Sequence, residues 1–372
     1  MNDIAQELRG KLGFGCMRLP MLEGQVDTAQ FSQMIDAYLA AGFHYFDTAH
    51  GYLEGKSELA LRECLTSRYP RDRYFLVDKL SGSFLNTAED VVPFFENQLD
   101  ACGVDYFDLY LMHSQSAQVF EKFQRLHCYE TVLDLKKQGK LRHFGISFHD
   151  TPQVLEQILQ AYPEIEVVQL QFNYLDYEDP AVQSRSCYEV CQKYGKPVLV
   201  MEPVKGGHLA NLPQDAAKIL EDLHGGSPAS YAIRFAAGFP GILMVLSGMS
   251  TLPQMEDNLS FMRDCQPLSP RELTAVQAAA GCIRRQNLIS CTACRYCTAG
   301  CPKSIAIPDL FACMNARKKY EDWSSLYYYG VHTAQGGKAS DCIRCGKCEA
   351  ICPQHLPIRD LLQEVVKTFE NA

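Results

Sequence analysis

Apolar runs of about four to seven residues recur along the first 265 positions, each followed by a stretch whose apolar residues fall three and four apart. The first kind of run predicts strands at 12–16, 44–47, 74–79, 107–112, 143–147, 167–170, 198–202 and 243–246. The second predicts helices, among them 28–41, 88–102, 122–138 and 181–194. Those four run up to Gly42, Gly103, Gly139 and Gly195, residues suited to the left-handed turn that closes a helix. Asp27-Thr28, Asp150-Thr151-Pro152 and Ser250-Thr251 ahead of Pro253 read as helix starts, where a side-chain oxygen satisfies a first-turn N–H. Strand–helix alternation demands parallel strands with crossover helices. Eight such units predict an α/β fold, a closed (β/α)8 TIM barrel. An open dinucleotide-binding sheet would need a third glycine and a helix straight after strand one. Gly13-Phe14-Gly15 runs on into Cys16-Met17-Arg18-Leu19-Pro20 and supplies neither.

Beyond the barrel, Ser269-Pro270-Arg271-Glu272 opens a further helix with a capping box, reaching to about residue 287. This places a domain boundary near 285, with residues 1–285 as the barrel and 286–372 as a small helical and loop domain. The segment 314–329 starts helical and carries Arg317-Lys318-Lys319, then Trp323 and Tyr327-Tyr328-Tyr329. The basic run reads as a solvated face, and the aromatic group as packing.

A length of 372 residues suits one large barrel plus a small module, and 47% hydrophobic residues can fill its core. The net charge of −9 argues against nucleic acid as a partner, because phosphate binding needs a basic surface. No apolar run approaches a membrane span, and Met1-Asn2-Asp3 does not open a signal peptide, so a cytoplasmic, reducing setting is expected.

Eight of the 17 cysteines fall into two copies of one spacing. The first is Cys291-x2-Cys294-x2-Cys297-x3-Cys301-Pro302, the second Cys342-x2-Cys345-x2-Cys348-x3-Cys352-Pro353. Both resemble the run that holds cubane [4Fe–4S] clusters in bacterial ferredoxins, where the fourth cysteine of each run ligates the other cluster. On that pattern cluster I takes Cys291, Cys294, Cys297 and Cys352, and cluster II takes Cys342, Cys345, Cys348 and Cys301. Zinc does not need the third and fourth cysteines of such a run. Disulfides would need an oxidising compartment. The remaining cysteines are scattered and read as small buried apolar residues.

Barrel chemistry sits where strands end. Asp47 closes strand two, Tyr52 follows on its loop, Lys79 closes strand three and His113 closes strand four. Each alone has an ordinary explanation as a surface, snorkelling or hydrogen-bonded residue. Four across three consecutive strand ends are harder to dismiss. The residues Asp47-Thr48-Ala49-x-x-Tyr52, Lys79, and Asp108-Leu109-Tyr110-Leu111-Met112-His113 make positions 10–265 resemble the aldo-keto reductases. With the cysteine runs, the chain resembles the subgroup fused to a C-terminal ferredoxin-type module.

The resemblance implies NADPH- or NADH-dependent reduction of a small carbonyl substrate. Tyr52 would be the general acid, and Lys79 would lower its pKa by favouring the phenolate. Asp47 would hold Lys79, and His113 would donate to the carbonyl oxygen. It also implies cofactor contacts. Gly15, Cys16 and Met17 follow strand one, and Ser147 and Gln169 would take the nicotinamide amide. Met201, Pro203, Lys205 and Gly206 follow strand seven, with Lys205 near the pyrophosphate. Gly248, Ser250, Gln254, Asp257 and Asn258 would form the adenosine segment. Two positions depart from the family: Phe148 replaces an asparagine, and Met201 stands where an aromatic ring often stacks. The lysine and arginine that grip a 2′-phosphate are absent from the last segment, which leaves NADPH and NADH open.

Three readings of the whole follow. The chain is a carbonyl reductase whose clusters exchange electrons with the site or with a redox partner of ferredoxin or flavodoxin type. Or it is an electron relay with an altered barrel site. Or the clusters are structural, fixing a module with little core of its own.

Overall fold

A computed structural model of the chain describes residues 4–179, 182–320, 324–334 and 336–370. They divide into two compact units, Met1–Val204 with Gly225–Leu273, and Lys205–His224 with Thr274–Ala372.

The first unit is a closed barrel of eight parallel strands. They are β1 (Leu12–Gly15), β2 (Tyr45–Asp47), β3 (Phe75–Leu80), β4 (Phe107–Gln115), β5 (Leu141–Phe148), β6 (Val167–Gln171), β7 (Val198–Met201) and β8 (Ile242–Ser247). Each strand pairs with its neighbours in sequence, and β1 closes the ring against β8, with Phe14 opposite Ser247. All eight lie where the apolar runs predict them, because a parallel strand covered on both faces must be apolar nearly throughout.

Alternate residues point inward. Tyr45, Phe75, Val77, Leu109, Leu111, Val167, Leu199, Met244 and Leu246 fill the interior together with Ile4. Gly145 is required in that packing: a Cβ there would sit 2.7 Å from the Val167 carbonyl oxygen and 2.8 Å from Leu111 Cδ2.

Helix starts follow the capping residues. Asp27 accepts from Gln30 N and Thr251 accepts from Gln254 N, whereas Thr151 makes no side-chain cap and Pro152 alone marks that helix start. Ser269 and Glu272 form the expected reciprocal cap, Ser269 N donating to Glu272 Oε2 at 2.7 Å.

Three local features differ from expectation. The stretch 122–138 is two helices, Ala117–Arg125 and Cys128–Lys137, broken at His127, whose φ is 51°. No glycine or proline marks that break. The helix expected at 181–194 is Ser184–Lys193, and its expected first residue lies outside the described residues. A small hairpin, Met21–Leu22 with Gln25–Val26, turns through Glu23 and Gly24, both at positive φ as a tight hairpin turn requires.

The second unit has a larger core than its loop-rich sequence suggests. Ile305, Ile307, Leu310, Phe311, Met314, Ile358, Leu362 and Val365 pack together, from the helices Ile307–Tyr320 and Ile358–Phe369 and the turn before them. Tyr329 stacks on Phe369 at 4.8 Å, whereas Tyr327 and Tyr328 are exposed. Trp323 lies outside the described residues.

The two cysteine runs share one backbone course. Left-handed residues recur at Ala293 and Arg344, at Arg295 and Gly346, and at Ser304 and His355, always the same distance from the first cysteine of the run. Among the described residues no helix is long and apolar enough to cross a membrane.

Replacing Gly145 by alanine should destabilise the barrel by about 1–3 kcal/mol through overpacking. Denaturant unfolding would show it as a lower midpoint at unchanged slope. An unchanged midpoint would mean the interior has slack at that layer.

Candidate active site and cluster cavities

The inward alternation that builds the barrel core also builds its mouth. On β2 the position after Tyr45 on the inward face is Asp47. On β3 it is Lys79, after Phe75 and Val77. On β4 it is His113, after Leu109 and Leu111, and on β6 it is Gln169, after Val167. Strand register therefore collects polar side chains from four strands at their C-terminal ends.

Lys79 is the centre of this layer. Its side chain is wholly buried, and Nζ donates to Asp47 Oδ1 at 2.5 Å, to the Thr48 carbonyl at 2.6 Å and to the Tyr52 phenol oxygen at 3.2 Å. An ammonium has three donors and no acceptor, so these three bonds use its full capacity. Asp47 is held from the other side by Gln169, whose Nε2 donates to Oδ2 at 2.9 Å. The Tyr52 phenol therefore accepts from Lys79, and its own proton is directed to another acceptor.

His113 lies edge-on to Tyr52, with ring centroids 6.1 Å apart. Its Nδ1 is 2.6 Å from Ser81 Oγ. Burial, then the Lys79 charge, then His149 push its pKa well below the usual histidine value, so the ring is neutral. In the tautomer where Ser81 donates to Nδ1, Nε2 carries the proton.

Behind Lys79 lies a buried polar network that no motif announces. Gln98 Nε2 bonds Asp78 Oδ1 at 2.9 Å and the Lys79 carbonyl at 3.1 Å, and Tyr110 donates to Gln98 Oε1 at 2.5 Å. Asp78 also accepts from the Lys79 backbone N–H, and burial beside Glu58 holds its pKa well above the carboxylate range. This network fixes the backbone from which Lys79 projects. Its only sequence signal is a glutamine, two acids and a tyrosine at otherwise apolar positions.

The residues expected to hold a nicotinamide cofactor fit it at one end. Ser147 is buried and its Oγ accepts from the Ser114 N–H at 2.7 Å, across a bulge in β4 where Ser114 has φ 52°. The Ser147 hydroxyl keeps a donor and the Gln169 amide keeps its oxygen acceptor, the complement of a carboxamide. Met201 is half-buried, Pro203 is buried, and Phe148 is fully packed.

Gly15, Cys16 and Met17 lead from β1, with the Cys16 carbonyl accepting from Ser57 Oγ at 2.9 Å and its thiol pushed far up by burial. The expected adenosine segment is tied to β8, to Ser227 and to the turn after β1 as well as to itself. Gln254 Oε1 accepts from Ser250 N, Asn258 donates to Ser247 Oγ, and Asp257 accepts from Ser227 Oγ. Ser250 Oγ donates to the Arg18 carbonyl at 2.8 Å, and the Arg18 side chain passes 3.4 Å from where a Cβ on Gly248 would lie. Arg18 was not singled out in the sequence, although it follows β1 directly. Lys205 and Gly206 belong to the second unit, where Lys205 Nζ donates to Gln354 Oε1 at 2.9 Å.

Within the second unit the eight run cysteines surround two cavities. One is lined by Cys291, Cys294, Cys297 and Cys352. The other is lined by Cys301, Cys342, Cys345 and Cys348. The crossed sets are thus the ones brought together, and Ile307 lines both cavities. Among the described residues no three His, Cys, Asp or Glu groups converge as a single ion would need. Four sulfurs around an apolar cavity suit a group with several irons. Burial, then Cys294, Cys291 and Cys352, push the Cys297 thiol up to about 12, and burial chiefly pushes Cys348 up to about 11. Thiolates there need a cationic core.

The double substitution Cys291→Ser with Cys352→Ser should remove one cluster's iron and leave the other's. Loss of both clusters' iron would show that each run holds its own cluster. The neutral His113 gives a second expectation. The unfolded chain protonates this residue below about pH 6.5 while the folded chain resists, so stability should fall as pH drops through that value. A His113→Gln variant should lose less stability between pH 7.5 and 5.5 than the parent. Equal losses would mean His113 does not titrate on unfolding.

Comparisons with known proteins bear on this geometry. Residues 11–280 match the aldo/keto reductase family, and residues 290–356 match a 4Fe-4S dicluster domain. An Escherichia coli NADH-specific methylglyoxal reductase is 28% identical over 196 residues, 47% of this chain and 57% of that protein. The chain thus spans little more than half the length of that curated relative. An aldo-keto reductase of Mycolicibacterium vanbaalenii is 27% identical over 69% of this chain and 84% of its own. Among solved structures, an aldo-keto reductase from Klebsiella pneumoniae in complex with NADPH superposes with a TM-score of 0.58 at 20% identity, covering 73% of this chain and 95% of that one. At that identity the likeness bears on the fold. The family match covers well over half of the chain, which belongs to the aldo/keto reductase family and carries a 4Fe-4S dicluster domain after its barrel.

Proposed function

We propose that this protein reduces the carbonyl group of a small aldehyde or ketone with NADPH or NADH, and that two [4Fe–4S] clusters in its second unit pass single electrons to or from a redox partner of ferredoxin or flavodoxin type. The observation that carries the first part is the buried Lys79 ammonium joined to both Asp47 and the Tyr52 phenol.

The nicotinamide, when bound, supplies hydride to the carbonyl carbon. The chain's residues manage the charge that this leaves on oxygen. His113 points its Nε2 proton at the carbonyl oxygen and stabilises the developing negative charge without carrying a charge of its own. Tyr52 gives its proton to that oxygen. Lys79, donating to the phenol oxygen, stabilises the charge that appears there as the proton leaves. Asp47 and Gln169 keep Lys79 in place.

Ser147 and Gln169 suit the cofactor's carboxamide. The Arg18 side chain passes beside Gly248, 4.0 Å from the Glu202 carboxylate, and a guanidinium there suits a phosphate. One curated relative is NADH-specific and one structural neighbour binds NADPH, which supports either nucleotide.

When bound, the clusters supply single-electron chemistry. Cys345 is exposed, which supports electron exchange with the partner at the second cavity. A cytoplasmic, reducing setting suits two thiolate-bound clusters. Cys297 and Cys348 also belong to the core of the second unit, which supports an added structural role for the clusters.

A Tyr52→Phe variant should lose roughly 10²–10⁴-fold in kcat for aldehyde reduction, the usual contribution of a positioned general acid. Nicotinamide binding and the cluster spectra should stay as in the parent. Turnover within a few-fold of the parent would exclude Tyr52 as the proton donor.

A further inference from the structure

The turn at 205–208 leaves β7 with Lys205, Gly206, Gly207 and His208, a run of the kind that approaches a pyrophosphate. Its contacts lie elsewhere. Lys205 is 3% exposed, and its Nζ donates to the side-chain oxygen of Gln354 at 2.9 Å. Gln354 is itself buried, stands two residues after Cys352, and lines the cavity of Cys291, Cys294, Cys297 and Cys352. A Cβ on Gly206 would fall 2.8 Å from the side chain and 2.9 Å from the carbonyl oxygen of Thr292, which lines the same cavity. His208 Nε2 is 2.8 Å from the carbonyl of Cys291, so that nitrogen is the donor. Three residues of one turn thus meet three residues of the first cavity's wall.

From this geometry we infer that the 205–208 turn is part of the binding site of cluster I, and that the buried Lys205 ammonium raises the reduction potential of that cluster alone. The inference rests on the reading that the two cavities hold [4Fe–4S] clusters. Reduction adds one negative charge to a cluster, and a cation held nearby in an apolar wall favours the reduced form.

The other cations at the two cavities are placed differently. Arg295, at the first cavity, forks onto Asp309 at 2.9 and 2.6 Å, and its side chain is 57% exposed. At the second cavity Arg359 is bonded to Glu349, and Lys303 and Lys347 are exposed to solvent, which screens them. Lys205, by contrast, is 3% exposed and donates to the neutral side-chain amide of Gln354. A buried amine therefore distinguishes cluster I from cluster II. Lys205 is a positioning and tuning residue that touches neither carbonyl substrate nor reacting atoms on this account.

The test is an anaerobic redox titration of the reconstituted holoprotein, followed by electron paramagnetic resonance, with Lys205→Met, Lys205→Gln and Lys205→Arg variants. The parent should show two reduction steps. Either neutral variant should make one step at least tenfold less favourable, which for one electron is about 59 mV, and leave the other in place. The arginine variant should keep both steps. Lys205→Gln serves if the methionine variant fails to load cluster I. A fully loaded neutral variant with both steps unmoved, or with both moved equally, would overturn the inference. A parent without reducible clusters would overturn the cluster reading and this inference with it, whereas loss or retention of aldehyde turnover bears on neither.

Discussion

Everything at the barrel mouth depends on one buried ammonium. A charge without water is tolerated only where its hydrogen bonds are filled, and Lys79 fills them with a carboxylate, a carbonyl and a phenol. Removing one member of such a pair commonly costs about 3–5 kcal/mol, because the other is left buried and uncompensated. Asp47 accepts one Lys79 bond, Gln169 holds the second oxygen of Asp47, and the Gln98–Asp78 network fixes the backbone that delivers Lys79. Tyr52 takes the third donor bond. The constraint that lets a lysine be buried is the one that aims a tyrosine proton outward.

The barrel was legible because parallel strands covered on both faces are apolar throughout, and Asp47, Lys79 and His113 stood out as polar residues one inward position above the core layer of their strands, with Tyr52 on the loop after β2. What lay hidden was what local pattern does not encode. Nothing in 122–138 marks the break at His127, since no glycine or proline stands there. Ser81 reaches His113 across the β3–β4 pair, and Arg18 lies beside β8 through the closing β1–β8 pair. Such neighbours are distant in sequence and become visible only when the barrel closes.

In the second unit, spacing spoke more plainly than composition. Matching cysteine intervals implied matching backbone courses, and the left-handed residues recur in register in both runs. Cys352 lines the cavity of the first run's other cysteines, and Cys301 lines that of the second run's. The apolar core between the helices was less visible, because Ile305, Ile307 and Ile358 stand beside prolines and charged residues in stretches that read as loop. Lys205 shows the limit of motif reading: a lysine before two glycines suits a phosphate, yet its amine is directed at Gln354 by contacts that no short pattern records.

The central claim is that hydride passes directly to a carbonyl carbon at the tetrad. The most direct measurement is turnover of a small aldehyde with nicotinamide cofactor carrying deuterium at the transferring position, followed by mass analysis of the alcohol. The account predicts stoichiometric deuterium on the carbinol carbon, from one face of the cofactor. An alcohol free of deuterium, with the label lost to solvent, would contradict it and place the reducing chemistry on the path of single electrons instead.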